Sequence, residues 1–394
     1  MDSPPTSPTT AKTHGTVDDL ALVLVGGGAR AAYQVGFLRG LIRQHPQLRL
    51  PIITGSSAGA INAVYLSAQV GPLKEAIDGL VNLWRAQRVE QVFRVDTPSL
   101  AALVLRWGIR LVSGGGVLTP EVQGLLDTAP LREFLERTLQ PNASGEIVGI
   151  GRNIAARRLR ALAVTTSNYS TGQSVIWLQG ADIEDWERPN RRSRKATITV
   201  EHIMASAAIP LFFPAVRLDD GWYGDGSIRM MTPCSPAIHL GARRILAISN
   251  RYQRSANEAD EPLISGYPPP AQIAGQLLQA MFLDDLDRDG WNLRRLNQLV
   301  APLPPEHRRG LHPVELVIVR PSEDLGRLAR AFEPQLPFLF RHLTRSLGSR
   351  DTASPDLLSL LMFQQDYIEQ LLELGEADAE RQADAVAELL APAS

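Results

Sequence analysis

Short, mostly apolar runs punctuate the chain: Leu20–Val25, Ile52–Thr54, Leu159–Thr165, Ser174–Leu178, Ile245–Ser249 and Val314–Val319. Continuous runs of this length predict strands, and those without alternation predict strands covered on both faces. Longer stretches between them repeat with helical period. Tyr33, Val35, Phe37, Leu38 and Leu41 predict a helix over Ala31–Arg43, and further helices are predicted over Ala58–Leu66 and Glu75–Arg88. Thr119–Leu139 reads as two short helices broken at Pro130. Glu201–Ala208 is a small-residue helix stopped by Pro210, because the residue before proline avoids the α region. Leu277, Leu278, Met281, Leu286, Leu293 and Leu296 mark one long amphipathic helix. Ser354-Pro355 opens a last one, whose Leu357, Leu360, Leu361, Ile368, Leu371 and Leu372 share a face and which Gly375 is expected to close.

Composition narrows the class. The 394 residues are 44% hydrophobic and 21% charged, enough to bury a large core in one large domain or two average ones. A net charge of −2 gives no electrostatic support to nucleic-acid binding. The single cysteine, Cys234, rules out an intrachain disulfide and a cysteine-based zinc cage. Met1–Asp19 is rich in Pro, Ser and Thr without an apolar stretch, and reads as a disordered leader and not as a signal peptide. No run of eighteen apolar residues occurs, so the expectation is a cytoplasmic protein.

Gly55-Ser56-Ser57-Ala58-Gly59 lies between a predicted strand and a predicted helix, the context of a nucleophile elbow. Small neighbours let a sharp, strained turn lift the Ser57 hydroxyl clear of the backbone. Alone, the motif is also a Gly/Ser turn before a small-residue helix. A second loop, Gly26-Gly27-Gly28-Ala29-Arg30, follows the first strand and exposes amides suited to an anion. It lacks the Gly-Lys-Ser/Thr of a Walker loop. The weak dinucleotide fit, Gly26-x-Gly28-x-x-Ala31, fails because no Asp or Glu occurs between Leu20 and Leu73. An oxyanion loop remains, with Arg30 reinforcing its positive potential. Asp225, between glycines in Trp222-Tyr223-Gly224-Asp225-Gly226-Ser227, reads either as a turn or as a buried, used carboxylate. Asp285, Asp287 and Asp289 mimic the opening of a calcium loop, but Leu296 stands where its closing glutamate belongs. The Leu100–Leu111 stripe reads as core or as membrane contact, with Gly114–Gly116 suited to a mobile lid. Arg188, Arg191, Arg192, Arg194 and Lys195 read as a solvated loop or as contact with lipid phosphates.

The order of the glycine loop, the Ser57 elbow and Asp225-Gly226-Ser227 resembles the patatin-like phospholipase family. Ala205–Pro210 through Phe213-Pro214, and Leu240-Gly241-Ala242, agree with it. The resemblance covers roughly Leu20–Asn250, leaving 251–394 as a mostly helical extension packed on the catalytic domain. It departs at Ala31 and Ser227, where many members have glycine, and glycine or alanine. The Ser227 hydroxyl is expected to add a hydrogen bond to the carboxylate. The resemblance implies a three-layer α/β/α sandwich around a largely parallel sheet. It further implies Ser57 as nucleophile, Asp225 as its direct base, and the Gly26, Gly27 and Gly28 amides with Arg30 as oxyanion hole. Gly55, Gly59 and Gly226 would support these motifs. No cofactor or metal is implied; the expected partner is a lipid acyl ester, with peripheral membrane contact. The competing readings are an α/β-hydrolase with a Ser-Asp-His triad and a non-catalytic lipid-binding regulator.

Overall fold

The computed structural model describes residues 19–94, 126–219, 221–260, 285–336 and 356–391, with isolated positions between these stretches. The Leu100–Leu111 stripe and Gly114–Gly116 lie outside them. The strands are β1 (Leu20–Leu24), β2 (Ile52–Ser56), β3 (Ala161–Asn168), β4 (Gln173–Gly180), β5 (Glu187–Arg188), β6 (Arg191–Lys195), β7 (Val216–Leu218), β8 (Gly221–Asp225), β9 (Arg244–Ile248) and β10 (Glu315–Val319). They form one mixed, mostly parallel sheet in the order β10-β9-β1-β2-β3-β4-β6-β5, with β8 paired to β3 and β7 to β8.

Both faces of the central strands are buried, which is why their sequences are continuously apolar. Leu20, Leu22 and Leu24 of β1 join the larger core, whereas Ala21 and Val23 join the smaller one on the opposite face. The larger core holds helices α1 (Ala32–Gln44), α2 (Ala58–Ala68) and α3 (Leu73–Ala86). Also on that side are α4 (Ala129–Leu139), α5 (Val200–Ser206), α7 (Asp356–Leu361), α8 (Gln365–Arg381) and α9 (Ala383–Leu390). The other face is covered by Ser235–His239 and α6 (Asp285–Val300). The molecule is therefore the expected α/β sandwich with a helical C-terminal region.

Four local expectations change. The cationic run is no loop: β5 and β6 form a hairpin, and β6 runs parallel to β4. Arg194 of this run lies above the Trp177 ring at 5.8 Å and 3.5 Å from Asp219. Pro130 starts α4 instead of breaking a helix, since a proline in the first turn loses no intrahelical bond. Gly375 lies inside α8, where its missing side chain lets α8 cross α1 at backbone contact. A Cβ there would stand 2.3 Å from the Tyr33 carbonyl oxygen, and one at Gly36 would stand 2.0 Å from that of Leu372. The helix expected from Ser354 onward is instead two, α7 and α8, separated by Met362–Gln364. The carboxylates of the calcium-like stretch serve structure: Asp289 accepts the Cys234 N–H at 2.8 Å, and Asp287 pairs with Arg320 and Arg251.

Candidate active site

Strand β3 brings the two candidate catalytic residues together. Its first part pairs with β2 in parallel, Thr165 opposite Ser56, and its end pairs antiparallel with β8, Thr166 opposite Asp225. Adjacent residues of one strand thus carry the strand that leads into Ser57 and the strand that ends at Asp225.

Ser57 caps α2 with φ 54° and ψ −133°, a conformation rare for a residue with a side chain. A strut sustains the turn: the Ser57 N–H donates to Ser206 Oγ at 3.0 Å, and that hydroxyl donates to the Thr165 carbonyl at 2.7 Å. Close approach also requires the motif glycines. A Cβ at Gly55 would lie 2.7 Å from Gly59 O, at Gly59 2.3 Å from Leu24 O, and at Gly226 2.0 Å from Thr165 O.

Asp225 is fully buried. Its Oδ1 accepts the Ser227 N–H at 2.8 Å. The Ser227 hydroxyl donates its proton to Ser56 Oγ at 3.2 Å and not, as expected, to the carboxylate. The Ser57 hydroxyl acts on the same carboxylate, yet Oδ2 completes no well-aligned hydrogen bond. Such loose contacts are usual for catalytic pairs before substrate arrives. Burial pushes the Asp225 pKa up to about 7, against the opposing pull of Ser57 and Ser227.

The glycine loop turns through Gly27, φ 153°, and Gly28, φ 53°, into a short 3₁₀ turn over Gly28–Ala31. As first residues of helical turns, Gly28 and Ala58 have no acceptor within their own helix for their N–H groups. Asn250 Nδ2 holds the loop from behind, donating to Gly26 O at 2.8 Å, and Gln34 Nε2 donates to Val25 O at 2.8 Å. Arg30 departs from expectation. Its guanidinium is buried and donates to Asp356 Oδ1 at 2.6 Å and Ser359 Oγ at 2.7 Å of α7. An adjacent carboxylate balances its charge, so Arg30 ties the C-terminal region to the loop instead of adding net positive potential to it.

Ser57 and Gly28 open on one cavity walled by Ile61, Leu83, Trp84, Leu131, Phe134, Ile209, Phe213 and Phe363. Its surface is almost wholly apolar and suits hydrocarbon. Among the described residues no histidine hydrogen-bonds to Ser57 or Asp225. His202 Nδ1 lies 2.9 Å from Thr199 Oγ1, its ring edge meets Trp177, and burial lowers its pKa to about 4.

The patatin-like phospholipase family model matches residues 22–238, more than half of the chain and all three motifs. The chain belongs to the patatin-like phospholipase family. No curated protein sequence matches it. Among solved structures, human GIVD cytosolic phospholipase A2 aligns with a TM-score of 0.46 at 11% identity. That alignment covers 95% of this chain and 60% of the human one, so the chain spans about three fifths of that protein. VipD from Legionella pneumophila aligns at 0.32 with 14% identity over 90% of this chain and 67% of its own. The type III effector protein ExoU aligns at 0.28 with 14% identity, over 95% and 80%.

Sequence reasoning missed Ser206, Asp356, Ser359 and Phe363 in this patatin-like site. Ser206 lies in the family-like segment Ala205–Pro210, and its hydroxyl among alanines was the available signal. The other three lie in a region whose helical pattern says nothing about which loop it will meet.

Proposed function

We propose that this patatin-like chain is a serine lipid acyl hydrolase, of phospholipase A or lysophospholipase type. The supporting observation is the pairing of strained Ser57 with buried Asp225 across adjacent positions of β3. Ser57 Oγ attacks the ester carbonyl as its proton passes to Asp225. The amides of Gly27, Gly28 and Ala58 take the developing oxyanion, a donor of this kind being worth about 3–4 kcal/mol. Collapse expels the alcohol, which takes the proton from Asp225, and leaves an acyl-enzyme. Water then attacks, with Asp225 again the base. A carboxylate of ordinary pKa would be a weak base here; one near 7 is matched to neutral pH.

Contact with a lipid surface belongs to the same proposal. Leu211 is 74% exposed at φ 68°, and Met231 and Trp222 are 57% and 46% exposed within six residues of Asp225. Leu211→Asp is expected to reduce flotation with phospholipid vesicles; unchanged flotation would remove this surface from the proposal.

The central test is labelling with an alkyl fluorophosphonate followed by peptide mapping. Label is expected on Ser57 alone and lost in Ser57→Ala, while His202→Ala and His239→Ala keep substantial turnover. A histidine variant as inactive as Ser57→Ala would replace the dyad with a triad, and label on another serine would overturn the site.

A further inference from the structure

The wall of the Ser57 cavity is not built by the family-matched region alone. Trp84, Leu131, Ile209 and Phe213 come from residues 22–238, but Phe363 arrives from the C-terminal region, between α7 and α8. Its ring stacks on Trp84 with centroids 6.4 Å apart and planes 15° from parallel. Trp84 is itself held, its Nε1–H donating to Asn62 Oδ1 at 2.8 Å.

The backbone on both sides of Phe363 is fixed. Before it, α7 is fastened by the Arg30–Asp356 and Arg30–Ser359 bonds, and a Cβ on Gly28 would lie 2.1 Å from Leu360 O. After it, the Tyr367 hydroxyl donates to Leu325 O at 2.9 Å. The backbone that carries Phe363 therefore cannot shift unless a buried ion pair opens, and the ring itself is packed on Trp84. The cavity's volume is about 40 Å³, against the ~10–15 Å³ that holds one water molecule, so it is narrow for a long hydrocarbon chain.

We infer that Phe363 is a specificity-determining residue: it closes the acyl cavity and sets the longest acyl chain accepted efficiently. The inference rests on the acyl-hydrolase reading. Within that reading it predicts a preference for the shorter acyl chains among lipid esters, the longer ones meeting the aromatic wall. Arg30, Asp356 and Ser359 are positioning residues that hold this wall against the glycine loop.

The test is the chain-length profile of kcat/KM for p-nitrophenyl esters from acetate to palmitate. Phe363→Ala is expected to move the optimum to longer acyl groups by roughly two to four carbons, the room vacated by a six-carbon ring. Each methylene newly buried should raise kcat/KM about fourfold, the factor for removing one CH₂ from water. Phe363→Leu, which disturbs packing less, should give a smaller shift in the same direction. Phe332→Ala provides the structural control: this aromatic packs on Tyr367 at 5.9 Å and is outside the cavity lining. It should lower the whole profile without moving its maximum. A profile unmoved in both Phe363 variants, or moved equally in Phe332→Ala, overturns the inference while leaving the hydrolase reading intact. If native protein cleaves no ester of any length and Ser57 takes no fluorophosphonate, the hydrolase reading itself falls, and this inference with it.

Discussion

In the proposed dyad, Asp225 ties activity and stability to pH in opposite directions. Its carboxyl is raised from 3.8 to about 7 by burial. Between those values the folded protein keeps a proton that the unfolded chain has lost, so folding stability declines as pH climbs through the interval. The difference corresponds to about 4 kcal/mol, present below pH 4 and gone above pH 7. Turnover should rise over the upper part of the same interval, with an acidic limb centred near pH 7. Asp225→Asn removes both effects, since asparagine has no proton to lose and cannot act as base. We expect kcat to fall by roughly 10²–10⁴ and Tm at pH 8 to increase relative to the native protein. Calorimetry at pH 5 and pH 8 checks this, the gain being larger at pH 8. Equal Tm values at pH 8 would mean that Asp225 is not held protonated by burial. At the glycine loop, Gly28→Ala would drive a methyl into the Leu360 carbonyl. Steady-state kinetics should then show kcat falling more than KM rises, the pattern of an interaction made in the transition state.

Helices α1 and α8 meet where neither has side chains to spare. Gly375→Ala should therefore destabilise the protein by about 1–3 kcal/mol, the usual cost of overpacking, as read from urea midpoints. Asp356→Ala leaves the Arg30 charge buried without its partner and should cost about 3–5 kcal/mol, more than any surface pair here. These two elements also mark where reading the sequence succeeded and failed. Runs such as Leu20–Val25 declared β1 because both faces of that strand are buried, and the Ser57 elbow was legible because its constraints are local. Gly375 was misread because glycine ends helices and also lets them cross closely, and the choice depends on a helix more than 300 residues away. The cationic hairpin was misread because β5 and β6 lie at the sheet edge, where Ser193 alone of five β6 residues is buried. Arg30 was assigned to the oxyanion loop by proximity, while its partner lies 326 positions further on.

At the scale of the whole molecule, the C-terminal region completes the structure that the family-matched residues begin. Strand β10 covers the edge of β9, and α7 and α8 cover the glycine loop and α1. A chain ended after Asn250 would bare a sheet edge and an apolar helix face together. It should appear in the insoluble fraction on expression, whereas the 394-residue chain should stay in the soluble fraction. A different consequence follows from Thr165 and Thr166, the neighbours on β3 that set Ser57 beside Asp225. Both are buried in the middle of the sheet, so their amides can exchange with deuterium only when the fold as a whole opens. The spacing of the two proposed catalytic groups has no softer hinge through which to fail. On heating, loss of turnover should coincide with global unfolding and not precede it, unlike enzymes whose working residues sit on separate, independently melting loops.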